Sequence, residues 1–181
     1  VVGIGAVPND GCLTGSGLGL ASGVLCDEYC RAVGVEDVFV AGDVARWFHP
    51  GRQGHLRMEH WTHAMDQAAL VAHNIVHPEE MRPCTPVEYV WSDQYDWKIQ
   101  IVGHPAAAAT HTVIGGFDEK ARAAVLFGDE AGRLTAAVTV NWPRALLECR
   151  RLVFAGSALD AAKQCVNALA PLPAPTPKAA W

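Results

Sequence analysis

The string Val38-Phe39-Val40-Ala41-Gly42-Asp43 ends an apolar, β-favouring run on a glycine and a carboxylate. A buried parallel strand that stops in this way delivers a position with no side chain, where backbone can approach a ligand closely. A charged acceptor then follows at the strand's C-terminal edge, the edge along which open α/β sheets bind their ligands. A carboxylate placed there suits the hydroxyls of a sugar or ribityl chain, at about 1.5–3 kcal/mol for a charged hydrogen bond. Taken alone, the same string reads equally well as a capped turn.

Sixteen residues after Asp43, Glu59-His60-Trp61 opens a segment in which Ala64, Ala68, Val71, Ala72 and Ile75 recur at spacings of three and four. That period predicts a helix from Trp61 to Val76 with one Ala-rich apolar stripe, ended by Pro78. Backbone N–H groups in its first turn, at Trp61 and Thr62, have no acceptors within the helix, so their acceptors must come from outside it. The third distinctive string is Val90-Trp91-Ser92-Asp93-Gln94-Tyr95. Trp91 reads either as an anchor in a core or as a residue placed for contact, and Asp93 as a turn cap.

The elements that must position these residues fall into two regions meeting near Pro83-Cys84-Thr85-Pro86. Residues 1–82 alternate strand, Gly-rich turn, strand and helix, the order of an α/β domain. Val1–Val7 reads as a short strand entered in mid-protein, without an initiator Met, so a fragment of a longer protein is expected. Residues 83–170 carry β-favouring runs at Val87–Trp91, Trp97–Val102, Thr110–Gly116, Ala123–Phe127 and Leu134–Val140. Asp118-Glu119-Lys120 and Gly128–Gly132 are hairpin-like connections. Helices over Arg144–Val153 and Ala158–Leu169 follow, the second with Ser157 as N-cap. An α+β layer with an antiparallel sheet and two helices is the expectation. The tail, 171–181, holds Pro171, Pro173, Pro175 and Pro177 and is expected to be extended or disordered.

Composition closes off several classes. With 50% hydrophobic and 18% charged residues, the chain has the balance of a soluble globular protein. Its net charge of −5 gives no footprint for nucleic acid, and no apolar run is long enough for a membrane helix. Arg46, Arg52 and Arg57 around Trp47 read as a solvated loop or as a patch for an acidic protein. The six cysteines form no Cys-x-x-Cys pair, so zinc and a disulfide framework are both disfavoured against buried or half-buried thiols in a reducing cytoplasm. His49, His55, His60 and His63 match no standard metal spacing. Gly15-Ser16-Gly17 has the wrong register for a nucleophile elbow.

In order, these strings resemble the C-terminal part of the ferredoxin reductases of the putidaredoxin, rubredoxin and biphenyl-dioxygenase type, flavoproteins with two dinucleotide domains. Gly3–Asn9 is similar to the family's return strand into the FAD domain, and Gly23–Glu28 to the hairpin that follows. The resemblance implies that residues 1–82 are the C-terminal half of a Rossmann-like FAD domain. It implies that Gly42 and Asp43 meet the ribityl chain, that Glu59, His60 and Trp61 set a helix N-terminus against the flavin pyrimidine ring, and that Trp91 stands near the flavin where ferredoxin docks. A helix N-terminus favours an anion by about 0.3–1 kcal/mol, up to about 2 when partly buried. Since about 1.4 kcal/mol is about 30 mV for a two-electron couple, such a contact tunes a flavin by tens of millivolts. NAD(P)H would be the electron donor, a ferredoxin the partner, and an oxygenase or cytochrome monooxygenase the final user. No Gly-x-Gly-x-x-Gly fingerprint is present, so the chain by itself is expected to be inactive. Two other readings stay open. One is a disulfide reductase of the glutathione reductase type, disfavoured because no His follows Pro143. The other is a non-catalytic C-terminal domain that self-associates, with a homodimer expected from the apolar surface it would expose.

Overall fold

The computed structural model describes residues 4–105, 108–118 and 122–169. The chain divides into two compact units, Val1–Pro86 and Val87–Trp181. Among the described residues no helix is long and apolar enough to cross a membrane.

The first unit is a small mixed sheet with one long helix. Strand β1 (Val24–Cys26) pairs in parallel with β2 (Ala45–His49), and β2 pairs antiparallel with β3 (Gly54–Leu56). Helix α1 spans Trp61–Val76, the range its sequence period predicts. Val24, Cys26, Cys30, Ala32, Trp47 and Cys84 form the core, with Leu70 and Val71 of α1 against them.

Three expectations are corrected here. Val38–Ala41 is not a ladder strand: it makes a single antiparallel bridge, Arg31 to Phe39, with the Ala32 N–H donating to Val38 O and the Val40 N–H to Cys30 O. Those bonds occupy its backbone, so the parallel pairing falls to β1 and β2, and Asp43 precedes a strand instead of ending one. Ile4–Val7, the described part of the predicted opening strand, is not in a strand, and Ile4 and Val7 are exposed. The buried face of α1 is not the alanine stripe. His63, Gln67 and Asn74 are buried, while Ala68, Ala72 and Ile75 are exposed. Gln67 and Asn74 win their places on that face because the loops beneath it offer backbone groups and thiols that need partners, while His63 packs its ring on Trp47.

The second unit is an antiparallel sheet in the order β4-β5-β8-β7-β6. Its strands are β4 (Tyr89–Gln94), β5 (Trp97–Gly103), β6 (Thr110–Gly116), β7 (Arg122–Gly128) and β8 (Leu134–Val140). The five β-favouring runs account for all five. Residues 119–121 lie outside the described chain, so only the start of the Asp118-Glu119-Lys120 connection is seen. Helices α2 (Pro143–Phe154) and α3 (Leu159–Asn167) cover one face, where Val102, Leu126, Ala137, Trp142, Cys149, Leu152 and Val166 make the core. Strands β5, β6, β7 and β8 each supply residues to that core, with Ala124 and Leu126 of β7 spaced by the strand period of two. The N-cap of α3 is Ala158, without a side-chain cap, rather than Ser157. The Ser157 carbonyl is instead engaged by the Leu134 N–H, which ties this corner to β8. The Pro-rich tail from residue 170 lies outside the described residues.

Candidate functional site

Gly42 and Asp43 form the turn entering β2. Gly42 has φ of +79°, a conformation that favours glycine, and a Cβ added there would meet the Ala64 Cβ of α1 at 3.6 Å. The Gly42 N–H donates to Oε1 of Gln67 at 2.8 Å. Arg57 donates to the Asp43 carbonyl at 3.2 Å and pairs with the Glu59 carboxylate. The turn is therefore fixed twice, to the second turn of α1 and to the segment leading into it. The Asp43 carboxylate is left exposed beside that junction.

The start of α1 is open. Its N-cap residue, His60, makes no side-chain cap, and Trp61 is 73% exposed. An uncapped, unshielded N-terminus keeps the positive end of the helix dipole available to an incoming anion or carbonyl. Two residues further on, His63 is only 4% exposed and stacks on Trp47 with ring centroids 4.6 Å apart. Neither ring nitrogen has a hydrogen-bond partner, and burial holds its pKa below the ordinary histidine value. His63 is a neutral packing ring.

Of the six residues singled out by sequence, the first unit brings Gly42, Asp43, Glu59, His60 and Trp61 to the junction between one turn and one helix start. Trp91 belongs to the second unit. It lies on the edge strand β4 opposite Gln100, is 42% exposed, and stacks on Tyr89 at 5.7 Å. The Arg150 guanidinium lies over the other ring of that pair, 4.9 Å from the Tyr89 centroid. Trp91 is held on one side and open on the other, which is not the environment of a core anchor.

Sequence reading missed Gln67. Gln67 is 1% exposed, and besides accepting from Gly42 its Nε2 donates to the Cys30 and Cys84 sulfurs. The signal was present as polar residues at 63, 67 and 74, which share a helical face among alanines. Arg46 and Arg57 do not form a surface patch: Arg46 donates to Ala21 O at 2.5 Å, and Arg57 is committed to Asp43 and Glu59. A groove of about 850 Å³ lies at the far end of α1, among Arg31, Val33, Phe39, Asn74, Ile75 and Met81, away from Gly42 and Trp61. Among the described residues no group of His, Cys, Asp or Glu could hold a metal ion.

In comparison with known proteins, two families match the chain in succession. Residues 1–68 match the family described as pyridine nucleotide-disulphide oxidoreductase, and residues 89–171 match the family described as reductase C-terminal. The ferredoxin–NAD(+) reductase component of the anthranilate 1,2-dioxygenase system of Burkholderia cepacia is 35% identical over 160 residues, 88% of this chain and 38% of that protein. The chain corresponds to the C-terminal portion of a ferredoxin reductase. Rhodocoxin reductase of Rhodococcus erythropolis is 34% identical over 84% of the chain and 35% of its own length. The solved ferredoxin reductase for the CYP199A2 system of Rhodopseudomonas palustris superposes with a TM-score of 0.78 at 26% identity, covering 86% of this chain and 37% of that one. The chain thus spans little more than a third of the ferredoxin reductases it matches.

Proposed function

We propose that this chain is the flavin-gripping and ferredoxin-facing portion of an NAD(P)H-dependent FAD oxidoreductase, whose ferredoxin serves an oxygenase or a cytochrome monooxygenase. The donor set fits such a group. An exposed carboxylate at Asp43 suits a polyol chain, and the uncapped start of α1 offers N–H groups to a ring carbonyl that gains negative charge on reduction. The observation that carries the reading is the bond from the Gly42 N–H to Gln67, which sets the carboxylate turn against the helix whose N-terminus points outward.

When bound, FAD supplies the chemistry, taking a hydride from NAD(P)H and releasing electrons one at a time. This chain's residues bind and orient. Asp43 accepts hydroxyl hydrogen bonds, Gly42 permits close approach, and the Glu59–Arg57 pair fixes the Asp43 backbone. His60 and Trp61 open the helix and set its N-terminus toward the ring, while Trp91 offers an aromatic face near the docking partner. No residue needs to move a proton. Homodimer formation through the exposed Met65, Ile75 and Val76 side of α1 is part of the proposal. Static light scattering at micromolar concentration that gave only a 19.3 kDa monomer would remove that part.

The principal test uses the full-length reductase. Asp43→Ala is expected to lower the FAD retained per chain through gel filtration. Trp91→Ala should leave FAD content unchanged and slow ferredoxin-dependent cytochrome c reduction. Wild-type FAD content in Asp43→Ala would overturn the assignment of the turn.

A further inference from the structure

Cys30 and Cys84 form, with Gln67, a buried cluster whose thiols the binding role does not use. Cys30 is 0% and Cys84 3% exposed, and both thiols meet one side-chain amide. Gln67 Nε2 donates to both sulfurs, at 3.3 Å to Cys30 and 3.8 Å to Cys84. Cys30 has φ of +65°, in the left-handed region that a non-glycine residue rarely occupies. A residue held there against its preference is a pointer to function when the surroundings over-determine it. Here they do: the Cys30 N–H donates to Asp27 O, and its carbonyl accepts from Val40. Cys84 sits on a strap whose neighbours Arg82, Pro83 and Thr85 are exposed, so a small local opening reaches it.

We propose that Cys30 and Cys84 are a peroxide-responsive thiol pair whose reversible disulfide resets Gln67 and, through it, the Gly42 turn. The pair is asymmetric. Interaction with Cys84 lowers the Cys30 pKa, while interaction with Cys30 and burial raise that of Cys84. Cys30 is therefore the attacking sulfur and Cys84 the resolving one. The third nearby thiol, Cys26, is pushed up to about 12, chiefly by burial, and stays protonated.

The chemistry balances. The Cys30 thiolate attacks a hydroperoxide, an S–O bond forms, the O–O bond breaks, and the alkoxide leaves and takes up a proton. Cys84 sulfur then attacks the sulfenic sulfur, the S–S bond forms, and the S–O bond breaks. Hydroxide departs with the Cys84 proton as water. Two thiols lose two electrons and one hydroperoxide gains them. A disulfide draws its sulfurs to about 2.0 Å, so the two-sulfur seat of Gln67 does not survive unchanged. The Gly42 N–H, whose acceptor is the other end of the same amide, follows.

The test needs no flavin, so its failure is distinguishable from failure of the FAD reading. The reduced chain is exposed to hydrogen peroxide, blocked with N-ethylmaleimide in denaturant, and cut with a Glu-specific protease. Cys30 then lies alone in residues 29–36 and Cys84 alone in 81–88. A joined species of these two peptides is expected, lighter by two hydrogens and split by dithiothreitol. Hydrogen exchange in the native oxidised chain should rise several-fold at the segment holding Gly42. Oxidation confined to Cys12, or a link from Cys30 to Cys26, overturns the pair. A joined species with unchanged exchange at Gly42 overturns the switch. Cys84→Ser should leave a dimedone-reactive sulfenic acid on Cys30, and if that variant does not fold the wild-type map alone decides.

Discussion

Replacing Gln67 by Met tests whether the turn and the helix are one mechanical piece. Methionine nearly conserves shape and apolar bulk, so the change is chiefly the loss of an amide. Gln67 is 1% exposed and accepts the Gly42 N–H at 2.8 Å, while its bonds to the Cys30 and Cys84 sulfurs are long and weak. The dominant cost is therefore the orphaned Gly42 donor. A buried unsatisfied N–H costs about 1–3 kcal/mol. Gly42 is only half-buried, which sets the expected loss at about 1–2 kcal/mol. In a unit of this size each kcal/mol lowers the melting midpoint by about 4–8 °C. Differential scanning calorimetry gives the midpoint, and hydrogen exchange by mass spectrometry localises the change to the segment around Gly42. A Gln67→Met chain that melts with the wild type and exchanges no faster at Gly42 would refute the coupling.

Gly103 has φ of +76°, and a Cβ there would lie 2.2 Å from the Thr135 carbonyl across the β5–β8 pairing. Gly103→Ala is expected to destabilise the second unit by more than about 3 kcal/mol in urea unfolding, against the about 1–3 kcal/mol of left-handed strain alone. Burial lowers the folded-state pKa of His63, so between that value and about 6.5 the unfolded chain binds the extra proton. Stability of the first unit should therefore fall as pH drops below about 6.5, and His63→Phe should flatten that part of a urea-midpoint profile. Cys26 and Cys149, both raised to about 12 chiefly by burial, should resist iodoacetamide at pH 7.5 in the native chain while the exposed Cys12 reacts. Equal labelling of the three would contradict their burial.

Local pattern by itself determined much of this protein. The three-four spacing from Ala64 to Ile75 fixed the span of α1, and alternating β-branched runs fixed five strands with two helices after them. In those segments hydrogen bonding is local or regular, so the chain's own period carries the information. The strings around Asp43, Trp61 and Trp91 marked the candidate residues because their types and order are read directly. Tertiary structure decided the rest. Val38–Ala41 has the composition of a buried strand, yet its backbone is spent on Cys30 and Ala32, a choice made by a loop that no periodicity encodes. The alanines of α1 looked like its inner face, but the inner face is His63, Gln67 and Asn74. Asn74 bonds Tyr29 O, distant in sequence, and both backbone groups of Arg82 on the strap beyond the helix. Buried polar side chains follow the donors and acceptors that folding brings beneath them, and those exist only once the chain has closed.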